Sequence, residues 1–143
     1  MDELLAKYVE YLRALLKQDF ESSARHFNDL PDGEWPGSGR LNTALFGLSV
    51  RQRFGKEPDP RAIKAFVDAF MVGVNNSAEK VKPIHVEMLI RSVLGESDLF
   101  DEVPHATANT VMPSASYLMV KQLGFTPDQV DQLIDKAIER ANR

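Results

Sequence analysis

The chain has 143 residues, of which 43% are apolar and 27% charged, the size and make-up of one globular domain rather than of a disordered chain. It contains no cysteine, which excludes a disulfide framework, thiolate zinc or iron–sulfur ligation and a cysteine nucleophile. A formal charge of −4 hides segregation: residues 1–36 carry 4 basic and 8 acidic side chains, while residues 37–82 carry 8 and 4. A basic middle between acidic ends suits an acidic partner, a second copy of the chain, or pairing within the fold.

The opening MDELLAKYVEYLRALLK starts acidic and breaks its apolar residues with Lys7, Glu10 and Arg13. A signal peptide needs a basic start and an unbroken apolar centre, and no run approaches the roughly 18 apolar residues of a membrane span. The expectation is a cytoplasmic protein away from membranes. Apolar spacing predicts a first helix over 2–17, burying Leu5, Tyr8, Val9, Leu12, Leu15 and Leu16. A short second helix fits 19–28. A Gly/Pro-rich loop follows near 30–40.

Residues 41–54 alternate as a strand would, yet also repeat at helical spacing. With no second convincing strand to pair with, the backbone donors of a lone strand go unsatisfied. A central helix with apolar residues on more than one face is the better reading, closed by Gly55. Asp59 before Pro60 marks an N-cap and a proline at the first helical position. That helix spans 60–74, with Ile63, Phe66, Val67, Phe70 and Val74 in one stripe, and Asn75, Asn76 and Ser77 close it.

Another helix runs from Pro83 to Gly95, with Ile84, Met88, Leu89 and Val93 as core candidates. An acidic loop covers 96–104. The stretch 110–123 holds a helix whose firm part begins at Pro113, and Gly124 stops it. Thr126-Pro127-Asp128-Gln129 is the best start signal in the chain. It opens a last helix to Ala141 that buries Val130, Leu133, Ile134, Ala137 and Ile138. The expected fold is all-α: residues 1–143 as a single-domain irregular bundle of six or seven helices, without repeats or sustained heptads.

The chemistry-bearing residues are sparse. His26, His85 and His105 lie far apart in sequence, and no His-x3-His pair exists to start a zinc site. Ser38, Ser114 and Ser116 sit in no nucleophile elbow, and the last two read as first-turn residues of a helix. The segment from Gly33 to Arg40 faintly suggests a phosphate cradle, with glycines before a helix and a cation. It lacks the lysine and hydroxyl of a Walker loop, although helix N-terminal amides and Arg40 could still hold an anion. Trp35 is a core plug or an interface anchor.

The basic group Arg40, Arg51, Arg53, Lys56, Arg61 and Lys64 is the strongest surface hint. An isoelectric point near 5.4 argues against nucleic acid, whose binding domains usually exceed about 9. The segments 82–94 and 113–123 do not form a helix-turn-helix either, since an acidic loop replaces the short turn. Leu99 and Phe100, set among four acids, fit a docking segment or a loop tucked into the core. Leu123-Gly124-Phe125 resembles, over three residues, the Gly-Phe loop of ubiquitin-associated domains. Glycine followed by an apolar residue is also ordinary helix-end chemistry, and no ubiquitin binding is inferred from it.

The function expected from these features is non-enzymatic: a regulatory or accessory protein acting by contact with another protein or a second copy of itself. Arg40, Arg51, Arg53, Lys56, Arg61, Lys64, Trp35, Leu99 and Phe100 are its candidate interaction residues. No catalytic, cofactor or metal residue is assigned. The alternatives are a bundle holding a small ligand between its helices, with Met71, Met88, Met112, Met119, Phe66 and Phe70 as lining, and a nucleic-acid-binding regulator.

Overall fold

A computed structural model describes residues 2–32, 35–57, 59–74 and 81–143. It is all-helical over those residues: α1 (Glu3–Leu16), α2 (Phe20–Asn28), α3 (Ser38–Phe54), α4 (Pro60–Val74), α5 (Pro83–Val93), a 3-10 helix (Ser97–Glu102), α6 (His105–Leu123) and α7 (Pro127–Ala141). No described helix is long and apolar enough to cross a membrane.

The helix starts follow local chemistry. Asp2 and Asp19 accept backbone N–H bonds from Leu4 and Ser22, and Asp59 accepts one from Arg61. Thr126 and Gln129 complete a reciprocal capping box, the strongest form of N-terminal closure. Gly124 ends α6 at φ 68°, a left-handed conformation that glycine adopts without a Cβ penalty.

Three boundaries and one core assignment differ from the sequence reading. Helix α3 starts at Ser38, three residues before Leu41, because Gly37 turns the chain at φ 83°. The acidic loop contains the 3-10 helix, which seats Phe100 and Val103 against the core. Helix α6 begins at His105 and carries the buried Pro113 in its interior. Proline there costs one backbone bond, to the Asn109 carbonyl, and burial of the neighbouring Val111, Met112 and Ala115 offsets the loss. Ser114 and Ser116 are therefore mid-helix residues. Ile84 is 51% exposed; the core face of α5 is Val86, Leu89 and Ile90. The expected stop at 75–77 lies outside the described residues, as do Gly33 and Glu34 of the predicted loop.

Two apolar clusters share α3 and α6 as a common wall. One joins Phe46 and Val50 of α3 to Phe66 and Phe70 of α4, Leu89 of α5, and Met112 and Met119 of α6. The other joins Leu12 of α1, Leu41 and Leu45 of α3, Val120 of α6 and Ile134 of α7. Helix α3 supplies residues to both, which explains the apolar spacing that read equally as strand or helix.

Helices α3 and α6 run parallel. Gly39 lies beside Asn109 at one end, and Arg53 Nε donates to Gln122 Oε1 at 2.9 Å at the other. Helix α7 runs the opposite way along α3, so the α7 end meets the α3 start, where Arg40 donates to the Arg143 carbonyl.

Candidate anion-binding cavity

The α3 N-terminus opens onto a cavity of about 660 Å³ whose walls come from α1, the 35–37 turn, α3 and α6. No side chain among the described residues caps α3. The Ser38 hydroxyl instead donates backward to the Trp35 carbonyl at 2.8 Å. The first helical bond runs from the Leu41 N–H to the Gly37 carbonyl, leaving the N–H groups of Gly39 and Arg40 without a partner among the described residues. Free amides at a helix start carry the positive end of its dipole.

Asn42 adds a donor of a different kind. It is 4% exposed and lines this cavity. Its Oδ1 accepts from the Tyr8 hydroxyl at 2.6 Å, a length that suits O–H···O and is too short for an amide N–H donor. Burial pushes the Tyr8 hydroxyl well above its ordinary range, against the opposing effect of the Asn42 bond, so Tyr8 stays a donor at neutral pH. The Asn42 amide is thereby turned, and its Nδ2 has no acceptor among the described residues. Nor is that nitrogen sealed in: among the described residues the buried side-chain atoms both closed off and unpartnered are His85 Nδ1 and Ser116 Oγ. A nearly buried donor facing a cavity at a helix start is built for an anion or a carbonyl oxygen.

The aromatic rim is ordered by packing. Trp35 lies 5.4 Å from Tyr8 and 6.3 Å from Phe27 between centroids, and its indole N–H donates to the Pro31 carbonyl. It is packed against the second cluster, as a plug, and also lines the cavity.

The proposed basic group separates. Arg40 stands at the start of α3, while Arg51 and Arg53 stand near its end, roughly 16 Å or more along the axis. Lys56 lies in the connection after α3, and Arg61 and Lys64 in the opening turns of α4. Lys64 pairs with Asp68, and Arg53 bonds Gln122 and lies 5.0 Å over the Phe54 ring. Arg51, Lys56 and Arg61 are exposed and have no carboxylate partner among the described residues. Leu99 and Phe100 are half-buried, and Phe100 packs on the first cluster.

Other candidate chemistry disperses. Among the described residues no group of three or more His, Asp and Glu comes together where a metal could sit. Of the methionines and phenylalanines considered as ligand lining, Met119 and Phe66 are core, while Met112, though 1% exposed, also borders a cavity between α3, α6 and α7. Phe70 borders a separate, mostly apolar groove of about 540 Å³ between α4 and α6. Sequence reasoning missed Tyr8, Asn42 and Asn109 as site residues. Only an asparagine amid the apolar positions of a central helix hinted at it.

No family model, no curated protein and no solved structure matches the chain.

Proposed function

We propose that this is a ligand-binding helical protein whose cavity at the start of α3 holds the anionic group of a small molecule. The observation that carries this reading is the Asn42 amide, nearly buried, oriented by Tyr8 and without an acceptor among the described residues, beside two α3 amides that also lack one there; Arg40 borders the same cavity while donating to the Arg143 main-chain oxygen. Arg40 and the positive end of the α3 dipole border the cavity, and both favour negative charge. Trp35 and Pro36 offer an apolar surface to the ligand's remainder.

Gly39→Asp tests the reading against a structural explanation. A Cβ at Gly39 meets only Asn109 Oδ1, at 3.8 Å, an ordinary contact. A carboxylate in the first helical turn is favourable to the helix dipole, by about 0.3–1 kcal/mol, yet it repels an anion from the cavity. The variant should keep or raise its Tm while losing phosphate binding. The readout is saturable NMR shifts of the Gly39 and Arg40 amides and the Asn42 side chain on titration with inorganic phosphate at constant ionic strength. Wild-type resonances that move no more with phosphate than with chloride overturn the proposal.

The α3–α4 corner supports a second role in contact with an acidic protein surface, because Arg51, Lys56 and Arg61 are exposed and have no carboxylate partner among the described residues. Arg51→Glu with Arg61→Glu should abolish retention of that partner in a pull-down while leaving phosphate binding unchanged. A partner set unaltered by the double variant removes this corner as an interface.

A further inference from the structure

We infer that the ligand is an elongated organic dianion, a dicarboxylate or bisphosphate, whose second anionic group rests on Arg140 and His105. The inference rests on the cavity at the α3 start being an anion site, and extends it along the molecule.

A second cavity of about 590 Å³ lies beside the first. The two cavities are neighbours, with Gly39, Arg40 and Asn109 at their common border. The second has an apolar floor from Ala44, Ala108, Met112 and Phe100. Arg140 and His105 stand at its edge, with no carboxylate among the described lining residues. The topology makes this arrangement: parallel α3 and α6 bring their starts to one end of the molecule, and antiparallel α7 delivers Arg140 there.

Each part selects a piece of the ligand. The free amides of α3 and Asn42 Nδ2 take one anionic group, by directed N–H donors. The floor, bare of unsatisfied polar atoms, takes a carbon body. Arg140 has no ion-pair partner among the described residues, and its planar fork suits a carboxylate or phosphate. A monoanion with a plain apolar tail would satisfy the floor and the first cavity but leave Arg140 and His105 unused.

Two matched pairs of probes, measured by calorimetry on the full chain, test this. They are suberate against octanoate, and fructose 1,6-bisphosphate against fructose 6-phosphate. In at least one pair the dianion should bind about tenfold tighter or more, as expected for one charge-assisted contact. Arg140→Gln should remove that preference by lowering the dianion's affinity to that of the monoanion. Arg140 is exposed, so the substitution leaves the fold intact. Gly39→Asp should weaken both members of the pair. Equal binding within both pairs, or a preference that survives Arg140→Gln, overturns the dianion while leaving the α3 anion site standing. Failure of all four probes, together with a null phosphate titration, overturns both.

Discussion

The two apolar clusters are held in register by different means. The cluster around α4, α5 and α6 is packed from Phe46, Phe66, Leu89, Met112 and Met119, and stacked or edge-on rings link Phe54, Phe66 and Phe70. Its ion pairs are local, within α4 between Lys64 and Asp68 or across the α5 end between Arg91 and Glu96. The cluster around α1 and α7 adds directed ties between distant helices. Tyr8 is bonded to Asn42, and Arg13 reaches Asp131 at 2.8 Å and Asp135 at 2.7 Å, with Lys17 at 2.9 Å from Asp131. Apolar packing is non-directional and tolerates small slips, whereas a hydrogen bond fails within half an ångström. The Asn42 amide sits on the side pinned by directed bonds, because aiming it needs the position of α1 fixed against α3.

The largest expected effect belongs to the apolar side. Phe66 is 1% exposed, and Phe66→Ala should cost about 3–5 kcal/mol in guanidinium unfolding, through lost burial and the cavity left behind. If that variant, where still folded, also lost phosphate binding, the two sides would not be as separable as their bonding suggests. Tyr8→Phe should cost less, about 1–3 kcal/mol, by leaving the buried Asn42 Oδ1 without its donor. It should also release the amide to rotate and weaken phosphate binding disproportionately. A stability loss with affinity untouched would mean that Tyr8 packs α1 without positioning Asn42.

The smallest effect is a pH dependence on the charged seam. The Lys17 ammonium, opposed in part by desolvation and joined by Arg13, holds the Asp131 carboxyl below the usual carboxylate range. A carboxylate lowered by folding stabilises the native state at neutral pH. That contribution fades as pH falls from about 4 through the lowered native value, where the folded state must take up the proton. Asp131→Asn should therefore flatten the acid limb of Tm against pH, and high salt should diminish the wild-type effect. Glu96, lowered by the Arg91 hydrogen bond, adds to the same limb from the other side of the molecule. An Asp131→Asn profile that parallels wild type would assign the limb to the other lowered carboxyls, Asp19 and Glu96, and leave the seam without weight.

Much of the fold was legible because helix signals are local. Stripes such as Ile63, Phe66, Val67 and Phe70 declare their period, and Asp59-Pro60 and Thr126-Pro127 declare their starts. What misled was also local. Pro113 reads as a helix start, and only the burial on both sides of it, a property of the assembled core, shows that α6 passes through. Ile84 fits an apolar stripe, but the neighbour it would need lies elsewhere. The cavity was legible only as free amides before Arg40. Its floor joins Tyr8, Asn42 and Asn109 from three helices, and no spacing rule links positions so far apart. The basic residues were close in sequence, yet a rigid helix holds Arg40 and Arg51 apart.

The Arg13–Asp131 tie spans 118 residues, and it sets an order on synthesis. As the chain leaves the ribosome, the α4–α5–α6 cluster can close with α3 while α7 is still unmade. Helix α1, whose apolar face needs α7 for its second wall, must wait through that interval with Leu12 and Leu16 incompletely covered. The charged side chains of α1 and α2, acidic and basic in equal number, keep the waiting segment hydrated. Late closure of α1 against α7 is then the step that finishes the ligand cavity, so a nascent chain acquires its core before its binding site.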